Sequence, residues 1–217
     1  TTVYTDTVIT GWGRKGNAIK ETYTDPNDVT QAYAIGKAYD GGQFSELNCQ
    51  AYGALYQDVL TVPGATLNWS LAHAGRDGTD TMALLIAPVD VAQDITDALK
   101  NKTTRAAIQE ALNGSITVNG VNVPIRNYIV DGNISDGCTA WGVHNGTYTV
   151  PAGQYVSRFF FVAVASASGD SEEGLKRGNL IDRVWFSTDP VPPVAGSGIL
   201  RVTKTLLKTD GTALTDA

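Results

Sequence analysis

Thr66-Leu67-Asn68-Trp69-Ser70-Leu71-Ala72-His73 alternates along its length. Leu67, Trp69, Leu71 and His73 fall on one face of an extended chain, and Thr66, Asn68, Ser70 and Ala72 on the other. A period of two marks a strand with one face turned to a core. The same reading extends outward from this stretch. Asp80–Ile86 is an apolar run short enough to be a buried strand. Ile116–Ile125 predicts a hairpin, because Ile116 and Val118 precede Asn119-Gly120 and Val121, Val123 and Ile125 follow it. Asn-Gly tolerates the positive φ angles that a two-residue type I′ turn requires. Gly146–Pro151 and Gln154–Ala165 predict two strands around the turn Pro151-Ala152-Gly153. Within the second, Tyr155–Ala165 is apolar on both faces, as a central strand covered on both sides would be. Leu180–Ser187 is the last strong strand signal.

One segment departs from this period. Asp90–Asn113 carries Ile95, Leu99, Ile108 and Leu112 at helical spacing, with Asp90 and Asp94 near its start and Gly114 after its end. Acidic residues favour the positive end of a helix and glycine its C-terminal stop. The segment reads as one broken helix or two short ones inserted between strands.

Composition agrees with a polar, turn-rich β protein of the secreted type. The chain has 217 residues, 23 glycines and a charged fraction of 18%, below the usual quarter. An apolar fraction of 42% is enough to build a core. The net charge of −6 and the scattered Lys and Arg residues argue against a nucleic-acid partner, which needs a basic stripe to displace counterions. No apolar run approaches the roughly 20 residues of a membrane span. The chain starts at Thr1 with no charged or apolar leader pattern, which reads as a processed or excised fragment. Asp189-Pro-Val-Pro-Pro-Val-Ala-Gly-Ser-Gly198 reads as a linker. The expected division is therefore a β-sandwich binding domain over 1–188, a Pro/Gly linker over 189–198, and the first strand of a truncated further domain over 199–217.

Several stretches together resemble a known group. They are Glu46-Leu47-Asn48, Leu55-Tyr56-Gln57-Asp58-Val59, Val62-Pro63-Gly64, Leu67–His73, Gly75-Arg76, Gly78–Met82, Gly146–Gln154 and Gly178–Asp182. Their combination is similar to the N-terminal jelly-roll domain of Gram-positive SpaA/Cna-B-type surface adhesins, which are isopeptide-forming and pilin-related. Ile199–Thr205 is similar to the opening strand of a stalk domain of that group. The resemblance implies a jelly-roll, galactose-binding-like β-sandwich, held outside the cell on a wall-anchored stalk. It also implies a host or environmental glycan or glycoprotein as partner, beside the downstream stalk domains. In such a stalk a first-strand lysine, here Lys204, joins an Asn; that Asn and its assisting acid would lie beyond Ala217.

The candidate ligand contacts are aromatic and polar. Trp141 lies in the glycine-rich stretch Gly137–Gly146 beside His144 and Asn145, and loops at sandwich ends carry binding. Trp185 points outward if Val184 and Phe186 point inward. Trp69 shares its face with Leu67 and Leu71 and reads as core, and Trp12 as a staple on the first strand. The cluster His73 to Asp80 holds Arg76 and Asp77. It is either a site that orients a polyol or carboxylate through Arg76, or a tight turn with Arg76 and Asp80 paired structurally. A structural Ca²⁺ is expected on Asp182, Glu46 and Glu21, because Asp182 looks inward-facing and a buried carboxylate needs a cation or several hydrogen bonds. An Arg partner or backbone amides would serve it equally. Cys49 and Cys138 form either one disulfide or two buried thiols.

No catalytic signature is present. Glu172-Glu173 sits between Gly169 and Gly174 and reads as solvated charge rather than a facing catalytic pair. No nucleophile elbow precedes a helix, and Cys49-Gln50 lacks the context of a thioester. The expected function is glycan-binding adhesion without catalysis, the alternative a structural spacer with no ligand of its own.

Overall fold

The structure is a computed structural model that describes residues 2–3, 13–15, 21–22, 34–40, 44–48, 51–172 and 174–188; for the first three segments it describes the backbone alone. In chain order the strands are β1 (Thr2–Val3), β2 (Gly13–Lys15), β3 (Glu21–Thr22), β4 (Ser45–Glu46), β5 (Ala54–Leu60), β6 (Thr66–Ala74) and β7 (Asp80–Pro88). Helices α1 (Val89–Leu99) and α2 (Arg105–Asn113) follow, then β8 (Ser115–Val118), β9 (Val121–Pro124), β10 (Ile129–Asp136), β11 (Gly142–Thr149), β12 (Val156–Ala165) and β13 (Leu180–Ser187). One sheet has the order β1-β3-β4-β13-β6-β11, the other β10-β7-β12-β5-β2, and β8-β9 stands apart as a hairpin. This is a mostly-β, two-sheet sandwich with a small helical insertion. The linker and stalk strand expected over 189–217 lie outside the described residues, as do Trp12 and Lys204.

The alternation of Thr66–His73 places Leu67, Trp69, Leu71 and His73 inside, all but solvent-free. They face Met82, Leu84 and Ile86 of β7 and Phe159 and Phe161 of β12 in one continuous core. Phe186 of β13 stacks against Phe159 with ring centroids 3.8 Å apart, which joins the two sheets. β12 lies between β5 and β7, and the two helices cover its outer face, so it is buried on both sides. On that outer face Arg158 donates to both carboxylate oxygens of Asp58 at 2.6 and 2.9 Å. It also reaches Thr96 on α1 at 3.1 Å.

The helical segment resolves into two helices. Asn101 at φ +61° breaks the run, and Thr104 caps α2 by accepting from the Ala107 amide at 3.3 Å. The Asn119-Gly120 turn has φ of +50° and +78°, as the hairpin reading requires. The glycine-rich stretch Gly137–Gly146 is shorter as a loop than the sequence suggests. β11 begins at Gly142, so His144 and Asn145 lie on a strand, not in a loop. Its glycines are there for clearance. A β-carbon on Gly142 would collide with the Asp136 carboxylate, and one on Gly146 with the Trp69 ring.

Candidate functional site

β10 and β11 are the neighbouring outer strands of the two sheets, and a seam runs between them. Polar and aromatic side chains collect at both ends of that seam.

At one end lies an open cleft of about 670 Å³. Tyr128, Tyr148, Asn127, Asp90, Thr149 and Gln154 contribute to its walls, over an apolar floor that includes Ile86 and Ile129. Tyr148 shares the inward face of β11 with His144 and Gly146, and its hydroxyl donates to Gln154 Oε1 at 3.2 Å. Gln154 in turn donates to Ser157 Oγ at 2.5 Å, so the tyrosine ring is held by a buried relay. Burial pushes the Tyr148 phenol above its ordinary value; burial, and then the negative Asp90, do the same at Tyr128. Both tyrosines are half-buried, both line the cleft, and their hydroxyls are kept neutral.

At the other end His73 of β6, Asp136 of β10 and His144 of β11 meet. His73 Nδ1 and His144 Nε2 each lie 2.7 Å from the same oxygen, Asp136 Oδ2. Burial pushes the Asp136 carboxyl upward, but the two histidine hydrogen bonds outweigh it and hold it below the ordinary aspartate value. His73 is completely buried, and its Nε2 lies 3.1 Å from Asn179 Oδ1. Asn179 donates to Asn48 Oδ1 at 2.8 Å and to the Ala165 carbonyl at 3.0 Å.

The polar cluster read from His73 to Asp80 divides in the structure. Arg76 donates to both oxygens of the fully buried Glu46 at 2.8 and 2.7 Å, and the Gly178 amide adds a bond to Glu46 at 2.9 Å. Asp80 accepts from the amides of Arg76, Ala167 and Asn179. The Arg76 side chain thus pairs with Glu46, while Asp80 takes its backbone amide. Asp77 stays exposed, near Ser168 and Arg177. Asp182 accepts from the Tyr39, Asp40 and Arg183 amides at 2.8, 3.1 and 2.6 Å. Burial, against those bonds, pushes it up to about 6. Backbone amides and an arginine thus serve the two carboxylates expected on Ca²⁺, and the Glu21 side chain lies outside the described residues.

Trp141 and Trp185 are both half-buried. Trp141 donates from its indole to the Lys37 carbonyl at 2.9 Å and sits edge-on to Phe44 and Tyr39. Val184 and Phe186 pack on the core, so Trp185 lies on the other face of β13, with its indole nitrogen buried. Asn145 is exposed on the outward face of β11. Cys138 is a half-buried thiol, and Cys49 and Gln50 lie outside the described residues. The structure brings His144 to His73 and Asp136, a meeting that sequence reasoning missed because 63 positions separate His73 from Asp136. It also missed the tyrosine cleft; the signal available was Tyr148 at alternate spacing with His144.

No protein-family profile and no curated protein matches the chain. Solved structures do. The CBM22-1 xylan-binding domain from Paenibacillus barcinonensis is 11% identical with a TM-score of 0.44, over 82% of this chain and 85% of that one. A family 35 carbohydrate-binding module from Clostridium thermocellum is 11% identical with a TM-score of 0.36, over 78% and 96%. A family 16 carbohydrate-binding module is 11% identical with a TM-score of 0.37, over 72% and 86%. These findings correct the resemblance to SpaA/Cna-B-type proteins: the likeness is to sandwiches of the carbohydrate-binding-module kind, not to an isopeptide-forming pilin family. The stretches that carried the resemblance are the strands and turns of the sandwich, such as Leu67–His73 and Gly146–Gln154. Among the described residues no helix is long and apolar enough to cross a membrane.

Proposed function

We propose that this chain is a non-catalytic carbohydrate-binding domain that acts outside the cell, holding it or its parent protein to a host or environmental glycan. The observation that carries the reading is the tyrosine cleft at the β10–β11 seam. A sugar presents C–H faces and a ring of hydroxyls, so it needs a flat aromatic surface flanked by hydrogen-bonding groups. Tyr128 and Tyr148 offer the surface, and Asn127, Asp90 and Thr149 offer the donors and acceptors. The volume fits a short stretch of chain, and the cleft is open, so a longer polymer can pass through it.

Arg76 and Trp141 are engaged in pairing and packing, so the cleft takes precedence over them as the binding surface. The test is a glycan array probed with the chain on a multivalent carrier, followed by calorimetry on any hit. Selective binding that Tyr148→Ala and Tyr128→Ala abolish and Trp141→Ala preserves supports the cleft. A folded protein that binds no glycan favours the alternative, a structural spacer.

A further inference from the structure

The strongest unassigned feature is the junction of His73, Asp136 and His144. Its chemistry follows from the hydrogen bonds behind it. The Asn179 amide orientation is set by the Ala165 carbonyl, an acceptor that only Nδ2 can satisfy, and Asn48 Oδ1 takes the second Nδ2 proton. Its Oδ1 therefore faces His73, so His73 Nε2 is the ring nitrogen that carries a proton and donates. His73 Nδ1, on the other side of the ring, faces Asp136 Oδ2 at 2.7 Å. His144 Nε2 approaches the same oxygen from the exposed side.

The three ligand atoms lie within 4.8 Å of one another. The arrangement has the form of a metal-binding histidine pair with a carboxylate. One imidazole is fixed in ring plane and tautomer by a hydrogen bond from its far nitrogen, the usual support behind a ligating histidine. Gly142 leaves room for the Asp136 carboxylate, which a β-carbon there would displace. Two nitrogens and one oxygen suit Zn²⁺ and its borderline neighbours rather than Ca²⁺, which takes six or more oxygens. Tetrahedral angles at zinc bond lengths set ligand atoms about 3.3 Å apart, so the two 2.7 Å contacts need open by only about 0.6 Å.

We propose that His73, Asp136 and His144 form a binding site for a divalent transition-metal ion of the zinc type, with one coordination position open on the side where His144 meets solvent. The ion ties β6 and β11 of one sheet to β10 of the other and closes the end of the seam remote from the tyrosine cleft. The site is independent of the glycan reading.

The probe is Zn²⁺ alone, titrated by calorimetry into the whole 217-residue chain after chelator treatment. Co²⁺ serves as a second probe, through the visible absorption of a four-coordinate site. The expected result is one ion per chain, a higher thermal midpoint with Zn²⁺, and a loss of affinity of about a hundredfold or more in His144→Ala. His144 is partly exposed, so that variant folds, and circular dichroism checks it; His73→Ala is avoided because the ring is buried. Cys138→Ser, two residues from Asp136, retains full binding. The proposal is overturned if Zn²⁺ does not bind, if His144→Ala binds it as well as the parent, or if Cys138→Ser abolishes binding.

Discussion

The indole ring of Trp69 occupies the space that a side chain at Gly146 would need: a β-carbon on Gly146 would lie 2.8 Å from Trp69 Cζ2. Register pairs these two residues directly across β6 and β11, and Trp69 is almost fully buried within the core. Gly146→Ala therefore forces a packed ring to move. Overpacking of this kind costs about 1–3 kcal/mol, partly offset by the lower chain entropy of alanine in the unfolded state. The expected outcome is a lower urea midpoint with an unchanged slope, and a shift in tryptophan emission.

Arg158 joins sheet to helix, and its energy lies in packing more than in charge. Its guanidinium is 4.2 Å from the centre of the Tyr56 ring and hydrogen-bonds Thr96, while the Asp58 side chain is 40% exposed. Asp58→Asn costs less than about 1 kcal/mol because solvent screens that ion pair. Arg158→Ala costs about 2–3 kcal/mol, since it removes a buried stem, a cation–π contact and the link to α1. Equilibrium denaturation of both variants in low and high salt separates the two: the Asp58 effect shrinks with salt, whereas most of the Arg158 effect remains.

Asp182 makes stability depend on pH in a defined window. Its pKa is about 6 in the folded protein against 3.8 ordinarily, with burial as the main cause and the nearby Asp40 adding to it. The folded state thus binds more protons than the unfolded state between about pH 4 and 6, and unfolding is opposed most at the acidic side of this window. This group's contribution is full below about pH 4 and is lost as pH rises through 6, up to roughly 2–3 kcal/mol before solvent relaxation reduces it. Denaturation of the parent and Asp182→Asn from pH 4 to 7 checks the sign. The variant loses the decline, because an amide oxygen still accepts from Tyr39 and Asp40 without ionising.

The β8–β9 hairpin turns through Gly120 at φ +78°. Gly120→Ala puts a β-carbon in the left-handed region, at a cost of about 1 kcal/mol. The neighbourhood of Gly120 is open, so the penalty is one of backbone alone. Hydrogen exchange should quicken in β8 and β9 while β6, β7 and β12 keep their protection.

Sequence reading reached most of the fold and little of the site. Strands β6, β7, β12 and β13, the Asn119-Gly120 turn and the two-part helical insertion all follow from local period and turn chemistry. The limits of β11 do not, because glycines at 142 and 146 look like loop residues until their partners are known. Sequence offered Arg76, Trp141 and Trp185 as candidate ligand contacts from a polar cluster, a glycine-rich stretch and strand alternation. The partners of Arg76 and Trp141 are the Glu46 carboxylate, the Lys37 carbonyl and the Phe44 ring, far along the chain.

By itself, then, the amino-acid sequence determined a β-sandwich with a short helical insertion, since side-chain alternation and turn residues act between near neighbours in the chain. Tertiary structure alone decided which side chains meet. His73, Asp136, His144 and Asn179 come from four separate strands or strand edges, and Tyr128 and Tyr148 from either side of a seam. Pairing register and sheet packing set those distances, and both are satisfied only when the whole core closes.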